Sequence, residues 1–409
     1  MKVIQVNVVA DSGSTGKIVG GIDAELRRLG HESLVCYGRK TTGMAEGRFK
    51  FGTEWEAAAS KVANRAGRLM YASSPMATRR LERRILQERP DVVHLHCING
   101  YCVDIYRLLH FLAAQGIKTV ITHHAEFFYT ANCGHALDCL RFTDAEGCCR
   151  CPRPKAATGS LTVDRAHKSW EKMSRAFAAF APGQLVFTAV SPWVTERSKL
   201  SPVTAGRECR VVENGLDDSV FCLADDRMAG RALVPGCREK MVLHVTASFS
   251  DALGTFKGGD EIVALARLMP EVTFVVAASY VDIKGELPGN LYVHGRTRDQ
   301  HELAALYRAA DATVIASKRE TFSMIVAESL CCGTPVVGYR AGGPESIAIE
   351  PYSRFVDRSE GTSALADALK EMLSQQFDRV EISTEAIAKF SSQRMASNYI
   401  NVYNSLLNK

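Results

Sequence analysis

The chain has 409 residues, 46% of them apolar and 23% charged, with a net charge of +5. That length exceeds one ordinary domain and predicts two of about 200 residues each, in a composition typical of soluble globular proteins. The mild charge gives no reason to invoke nucleic acid, and no run of about 18 apolar residues is present to form a transmembrane helix.

The opening text MKVIQVNVVADSGSTGK is apolar for too short a run to be a signal peptide and reads as a first strand. Thirteen cysteines without a secretory signal indicate a reducing compartment, the cytosol, rather than a disulfide framework. Residues 3–9 are predicted as a strand, 11–16 as a glycine-rich turn, 17–29 as an amphipathic helix and 33–37 as a second strand. Glycines such as Gly13 and Gly16 let a ligand approach the backbone closely. The spacing matches neither a Walker loop nor a dinucleotide fingerprint, and an ordinary tight turn is the alternative. A nicotinamide enzyme would want an acid after the second strand, where Gly38-Arg39-Lys40 stand instead.

Residues 40–90 read as irregular, then helical. Between Lys61 and Arg89 there are eight basic residues against two acidic ones. They form either a solvated helix face or a surface for anionic lipid or a lipid-pyrophosphate acceptor, each basic group adding about 1 kcal/mol. A strand over 91–96 carries His94 and His96 at alternate positions, a helix covers 105–114, and a strand from 118 ends in His123-His124.

Cys133, Cys139, Cys148 and Cys151 follow in a loop that Gly134, Gly147 and Pro152 can bend. Cys148 and Cys151 have the C-x2-C spacing that lets two thiolates reach one tetrahedral ion, while the Cys133–Cys139 pair is wider. Cys149 or His135 could replace a member. Three readings stand: a structural zinc, reduced thiols packed under the loop, or disulfides formed on oxidation. A zinc here would pin the loop beside His124 and take no part in the chemistry.

A helix over 162–180 and strands over 185–190 and 210–212 complete the first domain. The second opens with a strand over 242–246 and then Phe256-Lys257-Gly258-Gly259 at a helix start. A lysine there opposes the macrodipole, so a negative group is expected to compensate it. Strands over 273–277 and 291–294 and a helix over 301–310 follow. Residues 311–316 read as a buried strand and 321–332 as a helix with Phe322, Ile325, Val326, Ser329 and Leu330 on one face. Gly333 stops it, Val336-Val337 begins a strand, and Gly342-Gly343-Pro344 opens another helix with proline at a tolerated position.

This rhythm is that of a parallel sheet, whose ligands lie beyond the carboxyl ends of its strands. Glu320 sits at such an end, with Glu328 eight residues on. Were both helical they would stand about 12 Å apart, so they converge on one molecule only if Glu320 lies in the loop. The helix start between them offers N–H groups at Ser323 and Met324, a seat for phosphate. By spacing alone, Glu328 reads equally well as a solvated residue.

The order of strand, E-T-F-S, helix with Glu328, G-T-P-V-V and G-G-P-E resembles the E-x7-E segment of retaining family-4 glycosyltransferases. The resemblance implies an α/β fold of GT-B type, two Rossmann-like doubly wound domains facing a central cleft. Residues 1–214 would bind acceptor, 215–240 link, 241–383 bind nucleotide sugar, and 384–409 form a helix crossing back to the first domain. Glu320 would then lie against the donor sugar and Glu328 hold the ribose, with Thr321, Phe322, Ser323 and Met324 between them and Lys257, matching the family's K-G, on the pyrophosphate. Gly13 and Gly16 match the loop brought to donor phosphates and acceptor. The arginine that commonly precedes the lysine is missing from 248–255; Arg296, in a turn where the family frames the nucleobase, is its expected substitute.

The texts V-V-H-L-H, N-G-Y and T-H-H resemble a narrower group, of exopolysaccharide and colanic-acid type. Its strand-end histidine falls on His124, near the sugar from the other side, with Ala125 where Asp is usual. Thr130-Ala-Asn-Cys133 replaces its T-G-H-C, and Glu213 stands where proline is usual. The implied function moves a sugar from a nucleotide-diphosphate sugar to a glycan or lipid-linked acceptor, with retention, in cell-surface polysaccharide biosynthesis. It implies a cytoplasmic protein, at most peripheral at the inner face of the plasma membrane, that needs no cofactor or divalent ion for catalysis. The rivals are a nucleotide-sugar 2-epimerase of the same fold and a non-catalytic nucleotide-sugar-binding protein.

Overall fold

The computed structural model describes residues 1–40 and 46–409. The chain divides into two compact units, one of Met1–Gly215 with Met395–Lys409, the other of Leu216–Arg394.

Among the described residues the first unit is built on seven strands: β1 Lys2–Asn7, β2 Glu32–Tyr37, β3 Arg48–Lys50, β4 Val92–Leu95, β5 Lys118–His123, β6 Leu185–Ala189 and β7 Cys209–Val211. Their order is β3-β2-β1-β4-β5-β6-β7, parallel throughout. Val3 faces Ser33 on one side and Val92 on the other, so the order reverses between β1 and β4. Strands covered on both faces read as unbroken apolar runs, and β1, β4, β5 and β6 are buried almost end to end. Helices Pro75–Glu88, Ile105–Ala114 and Ala166–Ala178 contribute Leu81, Ile85, Leu108, Leu109 and Phe177 to the core over them.

The second unit has six strands: β8 Met241–Ser250, β9 Thr273–Asp282, β10 Leu291–Gly295, β11 Ala312–Ile315, β12 Val336–Tyr339 and β13 Ser353–Val356. Again all are parallel, in the order β10-β9-β8-β11-β12-β13, which reverses between β8 and β11.

Three expectations need revision. Gly13 to Gly16 form the first turn of helix Gly13–Arg28 rather than a loop before it. Residues 215–240 are no free linker: Arg227 and Arg231 grip Asp311 at 2.6 Å each, and Asp226 accepts from Arg308. The stretch 384–409 is not one helix either. Arg379–Phe390 ends in the second unit and Ser392–Leu407 starts anew. Between them Ser391 is extended and bridges Leu216, whose N–H donates to Phe390 O and whose carbonyl accepts from Ser392 N–H, so backbone pairing outcompetes helical continuation.

Candidate active site

β8 and β11 lie side by side where the strand order reverses, the place at which open parallel sheets bind ligands. Lys257 follows β8 and Glu320 follows β11. Their side chains meet, Lys257 Nζ donating to Glu320 Oε1 at 2.6 Å.

Glycine brings the loops together. Gly258 has φ 68°, and a Cβ there would stand 2.1 Å from the Ala316 carbonyl oxygen. Only glycine allows that approach. Lys318 ties the same two loops twice, donating from its backbone N–H to Phe256 O at 2.9 Å and from Nζ to Gly254 O at 2.6 Å. Beyond Glu320, its N–H donates to Ala341 O and its carbonyl accepts from Gly343 N–H, while Glu345 accepts from the N–H groups of Ala341 and Gly342. The G-G-P-E text is therefore a clamp on Glu320, which stands in the loop as convergence requires.

The helix Met324–Cys331 begins three residues later than the apolar pattern predicts. Ser323 caps it at φ 78°, ψ 90°, a strained conformation for a non-glycine residue of the kind that gathers at functional sites. Its Oγ is buried with no hydrogen-bond partner among the described residues. Phe322 turns into the interior against the edge of Phe390, leaving its backbone as what it can offer a ligand. Glu328 is not the solvated residue that its spacing alone allows. Its Oε2 accepts at 2.9 Å from the hydroxyl of Tyr307, which is fully buried. Under the site, His244 on β8 is pushed down to about 4 by burial, and the Lys257 charge adds to the effect.

Arg296 is not brought to this cluster by the sheet. It follows β10, the edge strand, three positions from β11, a separation of roughly 14 Å by strand spacing. The cations that adjoin Glu320 in the chain are Lys318 and Arg319.

In the first unit the order reverses between β1 and β4. Asn7, ending β1, accepts through Oδ1 from Cys97 N–H beyond β4. Asp11, in the turn before Gly13, accepts twice from Arg48 at 2.9 Å, and Arg48 also binds Asp23 at 2.7 Å. His124, just past β5, lies 3.0 Å from His96 through their Nε2 and Nδ1 atoms. The His96 ring lies tilted against that of His94, which is bonded to Tyr403 of the last helix at 2.7 Å and to Thr122 at 2.6 Å.

Burial lowers the pKa of all four histidines, His123 and His124 to about 3. The folded values lie below an unfolded value near 6.5, so the folded state binds fewer protons than the unfolded one in acid. The stability they confer is complete above that pH and lost as pH falls toward the folded values. Each should cost up to about 1.4 kcal/mol per pH unit below about pH 6. Denaturant titrations across this range should show the decline, whereas a flat profile would mean that the imidazoles reach water.

Next to Ala125, the motif pattern gave no signal for Glu126. It is fully buried and accepts from Arg197 at 3.0 Å, from the Tyr129 hydroxyl at 2.9 Å and from Ala136 N–H at 3.0 Å. It pins the cysteine loop to the body of the unit. Cys133, Cys139, Cys148, Cys149 and Cys151 line a cavity of about 20 Å³, room for about one water-sized body. All are free thiols, and burial pushes Cys133 up to about 11 and Cys148 up to about 12. Among the described residues no group of three or more His, Cys, Asp or Glu is arranged to hold a metal ion. Of the three readings, this arrangement favours packed thiols. Purified without chelator, the protein should carry far less than one zinc per chain, with every thiol titratable after denaturation; about one zinc per chain would restore the closed site.

The basic stretch is partly spent internally. Arg80 donates to Phe51 O and pairs with Glu56, and Arg84 pairs with Glu88 and sits over the Phe49 ring. Arg79 and Arg83 face outward.

Residues 22–220 match the model of Glycosyltransferase Family 4, and residues 282–389 that of Glycosyl transferases group 1. A putative colanic acid biosynthesis glycosyl transferase of Escherichia coli, WcaC, is 22% identical over 78% of this chain and 77% of its own. The D-inositol 3-phosphate glycosyltransferase of Xylanimonas cellulosilytica is 30% identical over 47% of this chain and 50% of its own. Among solved structures, sucrose-phosphate synthase from Thermosynechococcus elongatus superposes with a TM-score of 0.70 at 15% identity, over the full length of both chains. Anabaena HepE in complex with UDP-glucose gives 0.62 at 14%, over 99% of this chain and 100% of its own. These likenesses, with the two parallel sheets, make the fold GT-B.

Proposed function

We propose that this chain, a glycosyltransferase by the domains matched in both its units, moves a sugar from a nucleotide-diphosphate sugar to a glycan or lipid-linked acceptor with retention of configuration. The observation that carries the reading is the contact of Lys257 with Glu320 where the second sheet reverses, with Glu328 set by Tyr307 one helix away. The UDP-glucose complex of HepE supports the donor class, and the likeness to WcaC supports a role in cell-surface polysaccharide.

The diphosphate competes with Glu320 for the Lys257 ammonium. The freed carboxylate then accepts from sugar hydroxyls and orients the ring for attack on the face the leaving group departs from. Charge gathers on the departing diphosphate, and Lys257 with the N–H groups at Ser323 and Met324 stabilises it there, worth a few kcal/mol for each well-placed donor. Those groups do the work of a divalent ion. Lys318, already fixed on the lysine loop, is better placed than Arg296 as a second cation, and Arg296 keeps the nucleobase role. Glu328 holds the ribose hydroxyls. Gly13 and Gly16 serve the donor phosphates and the acceptor, and His124 serves the sugar. No helix among the described residues is long and apolar enough to cross a membrane.

A thermal-shift screen of nucleotide sugars tests the donor reading, since a ligand that binds only the folded state raises the melting temperature by mass action. One nucleotide family should stand out and give a smaller shift in Glu328→Gln. A uniform absence of shifts would overturn the donor assignment.

A further inference from the structure

Helix Glu54–Arg65 of the first unit is amphipathic in an unusual sense, because its outward face is the apolar one. Trp55 is 87% exposed and Val62, two turns on, 64%. Ala58 and Ala59 lie exposed between them, so the stripe is continuous at helical spacing. At the far end of the helix Leu161 donates its N–H to Arg65 O, and it brings a second exposed pair, Leu161 at 60% and Val163 at 45%.

Around this apolar surface the charge has one sign. Lys61 and Arg65 flank the stripe, and a hollow past its end is lined by Arg68, Arg165 and Lys168 with Ala66, Gly67 and Leu69. Arg165 holds its place by donating to Gly67 O at 2.9 Å. The nearby acids are turned elsewhere. Glu54 pairs with Arg39, Glu56 with Arg80, and Asp164 accepts from the N–H groups of Cys151 and Ala166.

We infer that this face docks on an anionic lipid surface, with Trp55, Val62, Leu161 and Val163 entering the interface and the basic hollow seating phosphate headgroups. A tryptophan-bearing apolar stripe bordered by lysine and arginine is the pattern of helices that lie in the plane of a membrane. Complementarity of charge selects an anionic bilayer over a neutral one. The start of the helix also has a place in the fold. Glu54 accepts from Lys40 N–H just beyond β2, so the stripe begins at the carboxyl edge of the sheet, the edge that carries Gly13 and His124. A lipid surface there would present an acceptor where the acceptor side is proposed to lie.

The test is co-sedimentation of the full chain with vesicles of phosphatidylcholine, alone or with about one third phosphatidylglycerol. Binding should require the anionic lipid and weaken with salt. Tryptophan emission should shift to the blue on binding, and Trp55→Phe should abolish the shift. Trp55→Ser with Val62→Ser, and separately Arg68 and Lys168 to Gln, should each weaken binding at least about tenfold, with melting temperatures near that of the parent because the altered side chains are exposed. Binding that ignores both sets of changes, absence of binding, or a dimer in light scattering that disappears in the Trp55 variant would overturn the proposal. The measurement needs neither donor nor turnover, so its failure and that of the transfer reading are separable.

Discussion

Lys257→Ala and Glu320→Ala should each leave a folded protein whose transfer is at least about a hundredfold slower, the usual cost of losing one well-aimed electrostatic group. Folding should survive because the ion pair is partly open to water, with side-chain exposures of 32% and 18%. Such pairs contribute about 1 kcal/mol or less. The cost falls on turnover, where one partner faces developing negative charge and the other the sugar. Lys257→Arg is a sharper probe. It keeps the charge, but a planar fork cannot reproduce the point contact at Glu320, so most of the loss should persist. Steady-state rates of nucleotide release at saturating donor read the effect. Near-normal turnover in Lys257→Ala or Glu320→Ala would remove that residue from the catalytic set.

Glu328→Gln should separate binding from chemistry. The amide still offers an oxygen to Tyr307 but loses the charge that strengthens bonds to ribose hydroxyls. Hydrogen bonds to charged groups exceed neutral ones by about 1 to 1.5 kcal/mol, which predicts roughly tenfold weaker donor affinity. Turnover of bound donor should change much less. Tyr307→Phe should act in the same direction and more weakly, since it removes one hydrogen bond to the carboxylate without altering its charge. Calorimetry with the nucleoside diphosphate decides the point: unchanged affinity in Glu328→Gln would discard the ribose assignment.

What could be read in the chain was local. The strand, loop, helix order from Asp311 to Glu345 and the K-G-G text at Lys257 encode backbone requirements, a turn, a helix start and a close approach, each settled by neighbouring residues. The partners of those residues were not legible. Tyr307 meets Glu328 and His96 meets His124 because parallel strands and their following helices are brought together by strand order, and no periodicity in one segment reports its neighbour. The same reasoning explains Arg296. Its placement depended on which strand lay at the edge of the sheet, and the edge position of β10 separates it from the lysine loop. The helix break at Ser391 was missed although serine is a common helix cap: its Oγ accepts from Arg394 N–H at 3.3 Å, and pairing with distant Leu216 completes the interruption. Counting basic residues also overstated the charge available on helix Pro75–Glu88, since Arg80 and Arg84 are committed to Glu56 and Glu88. The apolar stripe beside them went unread, because a stripe of alanines with Trp55 and Val62 is indistinguishable in text from a buried face.

On the proposed reading, Lys257, Glu320 and Glu328 turn a bound nucleotide sugar over by transfer. The most direct measurement follows free nucleoside diphosphate and glycosylated acceptor together in one reaction, with the donor chosen by thermal shift. If transfer is the reaction, the two rise in equal amounts, and both fall at least about a hundredfold in Lys257→Ala. Donor bound without release of nucleoside diphosphate, or an epimerised sugar appearing in place of a glycosylated acceptor, would contradict it.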